Sequence, residues 1–169
     1  RLREALLDIG ITDIRETAST GLVAHIPGGT ASGPAVAIRG DIDALPIQEE
    51  TGLPFTSMHA GVMHACGHDM HAAWAVGAGL LIAKQPAVGE VRILLQPAEE
   101  LGEGAPRVLA DGALEGVGAI FGGHVDWRFE VGQVVATPGP LAASTDTFEI
   151  TFHGKGGHGA RPQDTHDPI

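Results

Sequence analysis

Pro34-Ala-Val-Ala-Ile-Arg39 runs straight into Gly40-Asp-Ile-Asp-Ala-Leu-Pro46. A short, almost wholly apolar run reads as a strand covered on both faces, and the acids Asp41 and Asp43 come where that strand leaves its sheet. The pattern recurs twice. Val91-Arg-Ile-Leu-Leu-Gln96 runs into Pro97-Ala-Glu-Glu100, and Ala119-Ile-Phe-Gly122 runs into Gly123-His124-Val125. Helical stretches are expected between them, over 69–85 and from about 103 to 111. Strand, then acid or histidine, then helix, repeated along a chain, is the signature of an α/β sheet. Upstream, Leu2, Leu6 and Ile9 fall at helical spacing over residues 1–9, and Gly10 is a good stop. Ile14–Ala18 and Gly21–Ile26 read as a hairpin, with Pro27-Gly-Gly29 closing it. In open α/β sheets ligands bind beyond the carboxyl ends of the strands. Asp41, Asp43, Glu99, Glu100 and His124 are therefore expected to converge on one edge.

Between the first two strands lies Gly61-Val-Met-His-Ala-Cys-Gly-His-Asp-Met-His-Ala-Ala73, which holds three histidines, the one cysteine of the chain and an aspartate. A turn at Gly67 lets Cys66 and His68 aim at a common point, as two ligands from one loop must. The segment 69–83 is rich in Ala and Leu and free of Pro, with Asp69 where an N-cap belongs, so the ligands are expected just before a helix start. Taken singly, His59, His64 and His71 read as ordinary packed or solvated histidines. A carboxylate, a thiolate and two imidazoles suit Zn²⁺, Mn²⁺, Co²⁺ or Ni²⁺ better than Ca²⁺ or Mg²⁺. The adjacent Glu99 and Glu100 point in different directions, which allows one to bind metal while the other moves a proton. Water activated by a metal becomes a nucleophile near neutral pH when such a base stands beside it, and this is the logic of a metallohydrolase.

Composition bounds the alternatives. The 169 residues are 43% hydrophobic with few aromatics, and carry a net charge of −11. That charge argues against nucleic acid or an anionic membrane as partner, because phosphate recognition needs clustered Lys and Arg. There is no apolar run long enough to span a bilayer and no signal-like pattern in the first residues, which fits a cytoplasmic protein, although the sequence begins at Arg1 and leaves room for a targeting signal ahead of it. With one cysteine no internal disulfide forms, which leaves the compartment open but agrees with a reducing one.

Five motifs now carry a resemblance: Arg39-Gly-Asp-Ile-Asp-Ala-Leu-Pro-Ile47, Met63-His-Ala-Cys-Gly-His-Asp-Met-His71, Gln96-Pro-Ala-Glu-Glu100, Gly123-His-Val125 and Gly154-Lys-Gly-Gly-His-Gly-Ala-Arg-Pro162. In kind and order they resemble the amidohydrolase branch of the aminoacylase and carboxypeptidase-G-like metallopeptidases, which includes hippurate hydrolases, auxin-conjugate hydrolases and N-acetyldiaminopimelate deacetylases. The resemblance implies a three-layer α/β zinc-peptidase-like catalytic domain over residues 1–143 and, over 144–169, the start of an inserted α+β lid and dimerisation domain. It implies hydrolysis of the amide of N-acyl amino acids with a pair of divalent ions. Cys66, His68, Glu100 and His124 become metal ligands, Cys66 a bridging one rather than a nucleophile. Glu99 becomes the general base that deprotonates the activated water and passes the proton to the leaving amine, and Asp43 supports the metal site. A dipeptidase or carboxypeptidase of the same superfamily, or a non-catalytic metal-binding module, are the competing readings.

Thr147-Phe-Glu-Ile-Thr-Phe152 alternates like a strand with one wet face and follows the break at Thr137-Pro-Gly-Pro140. In the family this strand opens the lid, and His158 matches a lid histidine that reaches the other subunit's site and steadies the developing oxyanion. The resemblance further implies a longer parent protein, in which one more histidine ligand follows the lid. Two departures concern substrate contacts: Gln163 stands where many relatives have histidine, and His124 is followed by Val-Asp-Trp-Arg rather than a proline-containing turn.

Overall fold

The first helix, α1 (Leu2–Asp8), stops as Gly10 predicts. Gly10 adopts φ +87°. Its N–H reaches the Leu7 carbonyl at 2.9 Å and that of Ile11 reaches Leu6 at 3.0 Å, a paired closure that sets buried Ile11 beside buried Leu6. The computed structural model describes residues 1–29, 33–140, 143–144 and 146–168. The hairpin follows as β1 (Asp13–Thr17) and β2 (Gly21–Ile26). Its turn contains Ala18 and Ser19 at φ +47° and +69°, a backbone that L residues resist. The Asp111 carboxylate steadies it, accepting from the Ala18 N–H at 2.6 Å and the Thr17 hydroxyl at 3.1 Å.

The remaining elements are β3 (Ala35–Asp41), α2 (His68–Lys84), β4 (Val91–Gln96), α3 (Gly104–Ala110) and β5 (Val117–Gly122). The sheet order is β1-β2-β4-β3-β5. β1, β2 and β4 pair antiparallel in turn, whereas β3 lies parallel to both β4 and β5. Side chains alternate across this sheet as period two requires. Leu22, Ala24, Ile26, Val91, Ile93 and Leu95 face Leu6, Ile11 and Ala75 of the α1–α2 layer, while Val23 and Leu94 face Val108 of α3 and Ala113. The architecture is thus the expected three-layer α/β one. β5 is the exception to double coverage: it is an edge strand, and Ile120 and Phe121 are exposed because no described element packs over them.

Two local expectations are corrected. α2 begins at His68, so Gly67, at φ +80°, takes the N-cap position and Asp69 falls in the first turn. Thr147–Phe152 forms no strand; Phe148, Ile150 and Phe152 are exposed. Alternation supports a strand only where a neighbour supplies hydrogen bonds and an apolar face, and among the described residues none does.

The chain divides into two compact units, Arg1–Phe129 and Glu130–Ile169. Within the second, Lys155 and His166 form an isolated antiparallel bridge ahead of which Pro162–Asp164 makes one 3₁₀ turn. Among the described residues no helix is long and apolar enough to cross a membrane.

Candidate metal centre

Strand register brings the site together. Asp41 at the end of β3 pairs with Gln96 at the end of β4, and Arg39 pairs with Gly122 at the end of β5. The segments that leave these three parallel strands therefore emerge side by side: Asp43 from the first, Glu99 and Glu100 from the second, His124 from the third. α2 supplies the fourth segment. Its first turn lies so close to β3 that a Cβ on Gly40 would sit 2.5 Å from the His71 carbonyl oxygen, a separation no side chain tolerates.

The turn that carries the two glutamates has its own local cause. Ala98 takes φ +51° after Pro97, and its carbonyl accepts from the N–H groups of Glu103 at 3.2 Å and Gly104 at 3.0 Å. Gly104 has no space for a side chain, since a Cβ there would overlap the Pro97 carbonyl. The turn aims both glutamates at His68: Glu100 Oε1 lies 3.6 Å and Glu99 Oε2 3.8 Å from His68 Nε2. The Glu100 N–H donates to Asp43 Oδ2 at 3.1 Å, tying the β4 turn to the β3 exit. Across the cluster, Cys66 Sγ and His124 Nε2 are 3.4 Å apart. Cys66, His68 and His124 offer ligand atoms within 4.8 Å of one another, and so do His68, Glu99 and Glu100.

The donor set fits a divalent cation on evidence internal to the protein. His68 is fully buried, yet neither of its ring nitrogens has a hydrogen-bond partner among the described residues, and Asp43 Oδ1 is equally orphaned. Buried polar atoms left unpaired are costly, and here they converge: Nε2 looks into the thiol and carboxylate cluster, while Nδ1 lies 3.3 Å from Asp43 Oδ1. A ligating imidazole whose other nitrogen meets a carboxylate is the usual arrangement around a bound metal. Charge points the same way. Burial first, then the hydrogen bond to Glu100 and the nearby charges of Glu100, Glu99 and Asp41, push the Cys66 thiol up to about 11. A divalent cation held here would offset those carboxylates and favour the thiolate. Burial also pushes the Asp43 carboxyl up, but the N–H groups of Glu100, Glu99 and Asp43 itself outweigh it and hold it below its ordinary value of 3.8.

The structure thus gathers Asp43, Cys66, His68, Glu99, Glu100 and His124 as the sequence leads one to expect. His158 belongs to the second unit, where it is exposed and its Nδ1 accepts from the Ala160 N–H at 3.2 Å. Two residues carry more than the sequence suggested. Asp41 and His71 are fully buried, and Asp41 Oδ1 meets His71 Nδ1 at 2.5 Å while Oδ2 takes Arg39 at 2.7 Å. A signal for His71 was present: it lies on the buried stripe of α2 with His68, Ala72, Ala75 and Gly79, where a histidine must have a partner. A cleft of about 950 Å³ opens at the other end of the sheet, by Thr12, His25, Glu90 and Arg92, and shares no residue with this cluster.

Comparison with known proteins follows the same lines. Residues 37–168 match the family described as Peptidase family M20/M25/M40. The N-acetyl-L-cysteine deacetylase of Bacillus subtilis (strain 168) is 47% identical over 171 residues, 99% of this chain and 41% of the relative. IAA-amino acid hydrolase ILR1-like 5 of Arabidopsis thaliana is 42% identical over 163 residues, 95% of this chain and 37% of the relative. Among solved structures, a Bacillus subtilis protein described as a dinuclear metal binding peptidase from the M20 family superposes with a TM-score of 0.70 at 48% identity, covering 74% of this chain and 35% of its own. The chain spans about two fifths of the length of the curated relatives it matches.

Proposed function

Since the chain belongs to peptidase family M20/M25/M40, we propose that the protein carrying it is a metal-dependent amidohydrolase that cleaves the amide bond of N-acyl amino acids. The observation that carries this reading is the buried His68, without a hydrogen-bond partner among the described residues, facing Cys66, Glu100 and His124, with Glu99 beside them. The deacetylase and amino acid hydrolase names of its relatives support the substrate class.

Cys66, His68, Glu100 and His124 would hold a pair of divalent ions, Zn, Mn, Co or Ni by the softness of the donor set. When bound, these ions supply Lewis acidity to water and to the amide carbonyl. The chain's own residues do the rest. Glu99 is about two fifths exposed at 41%, and no hydrogen bond ties down its carboxylate among those described. It takes the proton of the attacking water and delivers it to the nitrogen of the leaving amino acid, for which a partly exposed carboxylate beside the cluster is suited. Asp43 positions two ligands at once, through the Glu100 N–H and through His68 Nδ1. In the same reading residues 1–143 form the catalytic part and 144–169 begin a lid through which two copies associate, with His158 donating to the oxyanion in the other copy. The location is cytoplasmic.

The test is hydrolysis by the full-length protein of N-acetyl amino acids, hippurate and N-acetyldiaminopimelate, with metal content measured alongside. Expected are release of free amino acid that requires a divalent ion, and loss of about 10²- to 10⁴-fold of the rate in Glu99→Gln with metal content unchanged. A protein that binds its metals but cleaves none of these amides, or a Glu99→Gln variant with parental turnover, overturns the proposal. Light scattering of the full-length protein with and without residues 144–169 tests the dimer.

A further inference from the structure

Val125 has both backbone groups committed to histidines. Its N–H donates to His71 Nε2 at 2.9 Å, and its carbonyl accepts from His124 Nδ1 at 2.7 Å. These two bonds fix proton positions by elimination. An amide N–H can only donate, so His71 Nε2 is the unprotonated nitrogen and Nδ1 carries the hydrogen, which it gives to Asp41 Oδ1 at 2.5 Å. A carbonyl can only accept, so His124 carries its hydrogen on Nδ1. In the neutral ring Nε2 then keeps its lone pair, and it faces Cys66 Sγ at 3.4 Å. The Val125 side chain is docked as well: its Cγ2 fills the space a Cβ on Gly67 would occupy, in the turn between Cys66 and His68.

We propose that His71 is a positioning residue for the metal centre. Held in one tautomer by Asp41, it anchors the Val125 peptide, and that peptide in turn orients His124 so that Nε2 faces Cys66. The inference rests on His124 being a metal ligand, as the proposed function has it. His71 itself touches neither substrate nor metal in this role. Its ring lies beside both, centroids 4.5 Å from His124 and 5.4 Å from His68, while its own two nitrogens are occupied by Asp41 and the Val125 N–H.

The discriminating experiment is a double-mutant cycle on the full-length protein, read as Co²⁺ and Zn²⁺ affinity by chelator competition, without substrate. His71→Leu should weaken affinity about 10- to 100-fold, the usual effect of removing a group that orients a metal ligand. In a His124→Ala background the same change should cost almost nothing further, because its route of action has gone. His71→Gln, which keeps an acceptor for Val125 and a donor for Asp41, should recover most of the affinity and serves if the leucine variant fails to fold. The Co²⁺ spectrum gives a second readout, with a ligand-field change in His71→Leu that His71→Gln reverses. Additive losses in the cycle, or parental affinity in both His71 variants, overturn the inference while leaving the amidohydrolase reading intact. A parent protein that binds no divalent ion overturns both.

Discussion

Gly40→Ala tests the closeness of helix and strand on which the metal centre depends. An added Cβ would meet the His71 carbonyl oxygen at 2.5 Å, its carbon at 3.0 Å and Ala75 Cβ at 3.1 Å. Ordinary contact begins near 3.4 Å, so the first turn of α2 must retreat by 3.4 − 2.5 = 0.9 Å, or β3 must give way by the same amount. Two of the three obstructing atoms are backbone in a hydrogen-bonded helix, so no rotamer change relieves them. Overpacking of this kind costs about 1–3 kcal/mol. The displaced turn carries His68 and His71, and a misplacement near 1 Å costs about 100-fold in activity. The matched control is Gly77→Ala on the same helix, where the added Cβ meets nothing within 4 Å. It should stabilise by about 0.5–1 kcal/mol, because alanine loses less backbone freedom in a helix. Urea unfolding of the metal-free proteins measures both effects with no contribution from bound ions. Chelator competition then reports whether metal affinity falls in Gly40→Ala and holds in Gly77→Ala. Parental unfolding midpoint and parental metal affinity in Gly40→Ala would refute the packing argument.

Three further outcomes are expected. Ser19→Gly, at an exposed position with φ +69°, should raise stability by up to about 1 kcal/mol in the same urea assay, since glycine adopts that backbone without a Cβ penalty; a loss of stability there contradicts the turn described. Asp111→Ala leaves the buried Thr17 hydroxyl and the Ala18 N–H without their shared acceptor and should cost about 1–3 kcal/mol, whereas a neutral result removes Asp111 as the support of that turn. Glu90 is held below its ordinary 4.5, chiefly by the Arg92 hydrogen bond, against the opposing effect of burial and with help from His25. A depressed folded pKa contributes stability that is present above 4.5 and fades as pH falls through the lowered value, so Glu90→Gln should be less stable than the parent near neutral pH and converge with it in acid. A difference that persists unchanged to the acid limit would assign the effect to packing rather than charge.

How much was legible in the sequence depended on where each segment's partners lie. β4 occupies Val91–Gln96, the very residues its apolar run names, because a strand flanked on both sides and faced by two helical layers has no alternative use for such residues. The post-strand acids and His124 were legible for a related reason: polar groups right after buried strands have only the sheet edge to occupy. The alternation over Thr147–Phe152 misled because it states which face a strand would bury and says nothing about whether a neighbour is there to pair with it. His71 was hidden by its type. A single histidine in a helix is usually unremarkable, and only its place among Ala72, Ala75 and Gly79 marks it as buried and therefore partnered. Asp41 and Asp43 looked alike as loop acids, yet one ends the strand inside the protein with Arg39 and His71, and the other stands outside it supporting Glu100.

That difference between the two acids explains why the chain spends a buried charge here at all. Asp41 is 1% exposed, and a carboxylate so placed is tolerated only when its oxygens are satisfied by strong donors. Arg39 supplies one and His71 the other, and the Arg39 Nε reaches Gln96 Oε1 at 3.0 Å, across the register pair that ends β3 and β4. Gln96 thus connects through Arg39, Asp41, His71 and Val125 to His124, a single line of hydrogen bonds and one ion pair that crosses the carboxyl ends of all three parallel strands. An apolar core at the same place would hold the strands together equally well, but it would not fix the rotation of an imidazole ring. Burying polar groups in one satisfied network restricts the site to one arrangement of its donors, which hydrophobic packing alone leaves free. The motif Arg39-Gly-Asp41 is then read physically: the arginine and aspartate close that network, and the glycine between them lets α2 come near enough for His71 to join it.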